Sequence, residues 1–193
     1  MPHDLGRRGR AALLAALVLL PPAAGAAESD MDPVTGYRVE HYRAPTPEAA
    51  PGARRIDLAG LDRLRGEGAV LLLDVIVGKG LRDARDGQWR ASERHDGIEG
   101  SHWLPELGRG RMDPALEAAF RATLEAMTSG KDHPIVVFCL ADCWMSWNAA
   151  RRLALWGHTR VHWFSEGLDA WGGADRPLVP LTPRPVLWPK PAP

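Results

Sequence analysis

Cys139 and Cys143 are the only two thiols in a 193-residue chain, and they stand four positions apart in the stretch CLADCWMSWNAARR. Two cysteines at that spacing, in a curled loop or a helical turn, can come within disulfide distance. Such a pair supports exchange chemistry, in which one thiolate attacks a sulfur atom and the other resolves the product. It can equally be a permanent bridge that only stiffens its loop. The C-x3-C spacing differs from that of zinc-binding pairs, and Cys143-Trp144 is not the signal for covalent haem attachment. Neither a metal nor a cofactor is expected.

The flanking elements decide where the thiols sit. PIVVF, residues 134–138, is a short continuous apolar run and reads as a buried strand. SWNAARRLALWG reads as a helix opened by Ser146 and stopped by Gly157. Cys139 is then at the carboxyl end of a strand, where open α/β sheets bind their ligands. The intervening loop is Leu140, Ala141, Asp142, Cys143, Trp144 and Met145. Its backbone N–H groups and the helix N-terminus favour negative charge. This predicts a depressed pKa and nucleophilic character for Cys139. An inert buried thiol is the plainer alternative.

Three further segments build the sheet around this loop. AVLLLDVIV, residues 69–77, reads as a strand buried on both faces, IEGSHWLP carries a short strand, and RVHWF a third apolar one. Helices alternate with them. Asp57 caps one with Leu58, Leu61 and Leu64 at helical spacing. Asp113 and Pro114 open another, with a stripe of Leu116, Phe120, Leu124 and Met127. EGLDAWGG is a short fourth helix. The alternation predicts an α/β fold with a mostly parallel central sheet and helices on both faces. Residues 78–97 read as a long polar loop, TGYRVEHYR as a short strand, and the proline-rich segment from Arg176 as extended chain.

These stretches in this order resemble a rhodanese-like domain. LLLDV matches that family's first central strand and its aspartate, Asp74. IEGSHWLP matches its Ile-Pro-Gly-Ala…Ile-Pro stretch, IVVFC its strand and catalytic cysteine, and the segment from Ala149 to Trp171 its helix, glycine turn, strand and Gly-x-x-x-Trp ending. The likeness spans about residues 56–180. TGYR…YRAP, GSHWLP and CLADCWMSWNA together resemble an exported subgroup with a cysteine–cysteine–tryptophan (CXXCW) motif. That subgroup accompanies pyrroloquinoline-quinone-dependent alcohol oxidation in bacteria. The resemblance implies sulfurtransferase-like or thiol-redox chemistry, with Cys139 as nucleophile and Cys143 as resolving thiol. It implies a small sulfur donor or a protein thiol as partner, and a periplasmic quinoprotein dehydrogenase system nearby.

The departures from the family pattern bear on the reaction. A rhodanese loop usually reads Cys-Arg-x-Gly-x-Arg, whereas this loop has neither arginine nor lysine. It is one residue longer if Ser146 opens the helix, as in the rhodanese-like phosphatases, whose arginine would fall at Met145. Without that guanidinium, phosphate chemistry is not expected. Thiosulfate turnover is disfavoured too, and Asp142 adds negative charge beside the expected anion. A non-catalytic module that binds a partner protein or a quinone is the competing reading, with Trp144 facing the ligand.

Two supporting residues complete the candidate set. Asp74 ends a central strand and is expected to cap or orient a neighbouring loop. His102 is either a proton shuttle or a hydrogen-bonded structural side chain.

The address follows from the first residues. Arg7, Arg8 and Arg10 precede the apolar run AALLAALVLL, and small residues follow up to Ala27. This is the order of a cleavable secretory signal, and the run is short for a membrane span. Domains are expected at 1–27 (signal), 28–55 (extended arm), 56–180 (rhodanese-like) and 181–193 (proline-rich tail), with a periplasmic location and no membrane span after processing. The whole chain is formally neutral. No basic stripe dominates, so nucleic acid is not an expected partner.

Overall fold

Five parallel strands form the central sheet in a computed structural model that describes residues 30–83 and 88–188. The signal-like segment lies outside the described residues. In chain order the strands are β1 (Arg54–Ile56), β2 (Leu71–Asp74), β3 (Gly80–Arg82), β4 (Trp89–Ala91), β5 (His95–Gly97), β6 (His102–Trp103), β7 (Ile135–Phe138), β8 (Val161–Phe164) and β9 (Val179–Leu181). The helices are α1 (Leu58–Gly66), α2 (Pro114–Met127), α3 (Trp144–Leu155) and α4 (Gly167–Gly173). The central sheet has the order β1-β8-β7-β2-β6, and every pairing in it is parallel.

β2 and β7 are buried at every position because helices cover both faces of the sheet. Leu71, Leu73, Ile135, Val137, Val161 and Trp163 meet α2 and α3 on one side. Leu72, Val136, Phe138 and Phe164 meet α1 and α4 on the other. Each large apolar side chain removed from water contributes about 2 kcal/mol. The caps form where the residue types place them. The Asp57 carboxylate accepts from Gly60 N, and Asp113 accepts from Ala115 N and Leu116 N.

Three local expectations need correction. β2 is only four residues long: Val75 N still donates to Phe138 O at the end of β7, and Ile76 N then turns back to Asp74 Oδ1. Residues 78–97 are not one loop. They hold β3 and β4 as an antiparallel pair, and β5, which pairs with β9. TGYRVEHYR makes no strand. It contributes only isolated bridges, Met31 to Arg38 and Arg43 to Cys143, because it is held by α3 and its preceding loop rather than by a neighbouring strand. The segment after Arg176 is extended chain that packs on the domain, where Val186 is buried and Leu187 N donates to Thr123 Oγ1 at 2.8 Å.

Candidate functional site

β7 delivers Cys139 to the carboxyl edge of the sheet, and five residues later the chain enters α3 at Trp144. Cys139 and Cys143 are joined as a disulfide with their Cα atoms 6.2 Å apart. The turn between them needs a left-handed residue, and Asp142 supplies it at φ 48°. This is where the pattern Cys-Arg-x-Gly-x-Arg has its glycine, which explains that glycine's place. α3 begins at Trp144, two residues before the expected Ser146. Cys143 takes the extended N-cap geometry with its backbone, but its sulfur is in the bridge and makes no cap hydrogen bond. The added loop length inferred from a helix start at Ser146 is therefore not there, and Met145 is a fully buried residue of the helix.

The loop is held from three directions. Underneath, Ser146 Oγ donates to Cys143 O and accepts from Trp163 Nε1, both at 3.0 Å. On the α4 side, Leu168 N donates to Cys139 O at 2.9 Å and Gly167 bridges Leu140. Gly167 sits at φ 51°, and a β-carbon there would collide with the Cys139 carbonyl. From the outside, residues 42–45 of the N-terminal arm cross the loop. Trp144 N donates to Tyr42 O at 2.8 Å and Ala44 N to Asp142 O at 3.0 Å. Arg43 Nη1 donates to Ala141 O at 2.7 Å.

This enclosure changes the electrostatics expected from a strand-loop-helix turn. Ala141 N donates to Asp169 Oδ2 at 2.8 Å, and the first amide of α3 is taken by the arm. These amides serve acceptors of the chain itself rather than an incoming anion. The cysteines retain only 3% and 4% exposure, so a reagent reaches the bridge only if the arm moves. Arg43 also lies 3.8 Å from Asp169, so the arm brings to the loop the cation that the loop sequence lacks.

Trp144 does not face a ligand. It is 7% exposed, its Nε1 donates to Pro45 O at 3.0 Å, and its ring packs on Trp147 with centroids 5.1 Å apart. The arm, which the sequence places a hundred positions away, supplies that cover. A quinone stacked on this indole is thus ruled out while the arm is down. Leu140 and Ala141 are half-buried and Asp142 is exposed.

Asp74 and His102 are not part of this cluster. Asp74 is fully buried, and accepts from Ile76 N at 3.0 Å through Oδ1 and pairs with His95 Nε2 at 2.8 Å through Oδ2. It thereby ties the returning 78–97 segment to the sheet. His102 lies on β6, two strands from β7, with Nδ1 3.5 Å from Arg184. Burial and the Arg184 charge push its pKa down. Nor does the structure bring His102 and His162 together with the cysteines as a metal set. Among the described residues the one cluster of metal-ligand types is Asp30, Glu40 and His41, where Arg38 already pairs with Asp30 at 2.7 Å.

Sequence reasoning missed Arg43, Gly167 and Asp169. Arg43 and Gly167 were visible as parts of YRAP and of the Gly-x-x-x-Trp ending, but nothing in either stretch tells that they meet Cys139 and its loop. Asp169 carries no signal beyond being one carboxylate among many.

The rhodanese-like domain family model matches residues 59–174, and the chain belongs to that family. Solved structures it is similar to include the Alr3790 protein of an Anabaena species, at 23% identity over 65% of this chain and 80% of that one, with a TM-score of 0.43. Another is the human single-domain sulfurtransferase TSTD1, at 23% identity over 63% and 96%, with a TM-score of 0.40. A third is the polysulfide-sulfur transferase homodimer of Wolinella succinogenes, at 13% identity over 67% and 80%, with a TM-score of 0.43. Comparison of the sequence with curated proteins finds no match.

Proposed function

We propose that the protein is a rhodanese-like thiol carrier in which Cys139 is the nucleophile and Cys143 the resolving thiol. The observation that carries this reading is the pairing of the two cysteines at the carboxyl end of β7, at the position of the family's catalytic cysteine. In the reduced protein the Cys139 thiolate takes the outer sulfur of a persulfide R–S–SH, forming Cys139–S–SH and releasing RS⁻. The Cys143 thiolate then attacks Cys139 Sγ, expels HS⁻ and closes the bridge. A dithiol partner returns the pair to its reduced state by taking up the disulfide. No arginine of the loop holds a donor, so an uncharged or protein-borne persulfide fits better than thiosulfate.

The wider setting belongs to the same proposal. The n-region, apolar core and small residues before Ala27 support export to the periplasm, and CLADCWMSWNA supports the subgroup that accompanies pyrroloquinoline-quinone-dependent alcohol oxidation. Three residues separate the cysteines here, where the name of that motif counts two. A binding module with a fixed bridge is the second reading, favoured by the burial of both sulfurs and by the amides already used within the chain.

The Cys143→Ser variant tests the first reading. With no resolving thiol, incubation with a persulfide donor should leave one added sulfur atom on Cys139 by mass spectrometry. Cys139→Ser should take up none at Cys143. Failure of Cys143→Ser to take up sulfur, with its fold intact by circular dichroism, favours the binding module.

A further inference from the structure

A second charged feature lies away from the cysteines, where β1 and the start of β8 meet the end of α1. A cavity of about 490 Å³ opens there, walled by Arg54, Arg63, Arg160 and His162, with Glu67 as its one carboxylate. It shares no residue with the disulfide loop. Arg54 and His162 are register partners on adjacent strands, so their side chains rise from the same face of the sheet. Arg63 comes from α1, and Arg160 from the turn entering β8.

The described part of the fold makes no use of the three guanidiniums. Among the described residues none of them makes an ion pair, a side-chain hydrogen bond or a ring contact, and Glu67 is not within ion-pair distance of any. Elsewhere the protein pairs its arginines, as with Arg38 and Asp30 or Arg176 and Asp62. Both ring nitrogens of His162 are shielded from solvent and have no hydrogen-bond partner among the described residues. The ring nitrogens of this half-buried imidazole, beside three cations unpaired among the described residues, leave a polar demand that those residues do not meet.

We propose that this cavity is a binding site for a phosphate- or sulfate-type oxyanion, held by Arg54, Arg63 and Arg160, with the His162 ring in its wall. Guanidinium groups match the planar oxygen pairs of such anions. The cavity has room for the anion together with an organic group that bears it. The net charge of the walls is positive even with Glu67 ionised.

His162 offers a direct readout. Burial, then Arg160 and Arg54, push its pKa down, while Glu67 opposes them. An anion seated among these groups offsets the two arginines and raises that pKa. The test follows the His162 ring by long-range proton–nitrogen NMR of the full chain, assigned by loss of its signals in His162→Gln. Inorganic phosphate and sulfate are titrated against chloride at matched ionic strength, and glycerol 1-phosphate forms a second arm.

The expected result is a saturable rise of the His162 pKa with phosphate or sulfate. Arg160→Gln should weaken phosphate binding about tenfold, the loss of one charge-assisted contact. Arg160 and Arg54 are both exposed, so neither substitution threatens folding. Tighter binding of glycerol 1-phosphate assigns the rest of the cavity to an organic group. Equal binding assigns the site to the free ion. An equal response to chloride, or unchanged phosphate affinity in both Arg160→Gln and Arg54→Gln, overturns the proposal.

Discussion

Arg43→Ala should make the Cys139–Cys143 bridge easier to reduce without unfolding the protein. Residues 42–45 are held on the loop by four hydrogen bonds. They join Tyr42 O to Trp144 N, Arg43 Nη1 to Ala141 O, Ala44 N to Asp142 O, and Pro45 O to Trp144 Nε1. At about 1 kcal/mol net for each bond, the arm closes with about 4 kcal/mol, so about one molecule in a thousand is open. Arg43 also faces Asp169, but both side chains are more than half exposed, so that ion pair adds little. Removing the guanidinium costs about 1 kcal/mol and raises the open population about fivefold. Adding Trp144→Phe, which loses the bond to Pro45, should bring the gain to roughly ten- to thirtyfold, since neighbouring contacts need not add. The assay is the rate of reduction by a small dithiol in native buffer, read by alkylation and mass spectrometry. Equal rates in the wild type and both variants would refute the account of the arm. So would a reduction rate that follows global unfolding across a denaturant series.

Other substitutions test the framework around the loop. Asn148 is fully buried, accepts from Arg38 N and donates to Arg38 O and Gly108 O, so Asn148→Ala should cost about 3 kcal/mol in urea unfolding. Gly167→Ala places a β-carbon against the Cys139 carbonyl at a left-handed backbone position, and should destabilise by about 2 kcal/mol or more in the same measurement. Burial holds the pKa values of His102, His158 and His162 below the ordinary 6.5. The unfolded chain therefore binds protons at these sites first, and their contribution to stability is full above pH 6.5 and lost as pH falls below it. The urea midpoint should drop between pH 7.5 and 5.5, and His158→Gln should flatten that slope.

The central strands were legible because β2, β7 and β8 are buried between two helical layers, which leaves near-continuous apolar runs in the sequence. The caps at Asp57 and Asp113 were legible because a short carboxylate before a helical stripe has few other uses. The helix after the cysteines starts earlier than its sequence suggests, since Cys143 supplies the N-cap turn with its backbone alone. The short strands β3, β4 and β5 were hidden in polar sequence. Their position rests partly on the contact of His95 with Asp74, which joins residues 21 positions apart. The arm over the disulfide was hidden for the same kind of reason. Tyr42, Arg43 and Pro45 reach the loop mainly through backbone groups, which leave no pattern of residue types.

The central claim is that Cys139 and Cys143 form a working couple rather than a fixed brace. Its most direct test is the reduction potential of the pair, measured by thiol trapping and mass spectrometry across a glutathione redox series. The account predicts a potential above about −300 mV, in the range of exchange catalysts, with a persulfide appearing on Cys139 when the reduced protein meets a donor. A potential well below about −300 mV, where structural bridges lie, together with no added sulfur, would contradict it.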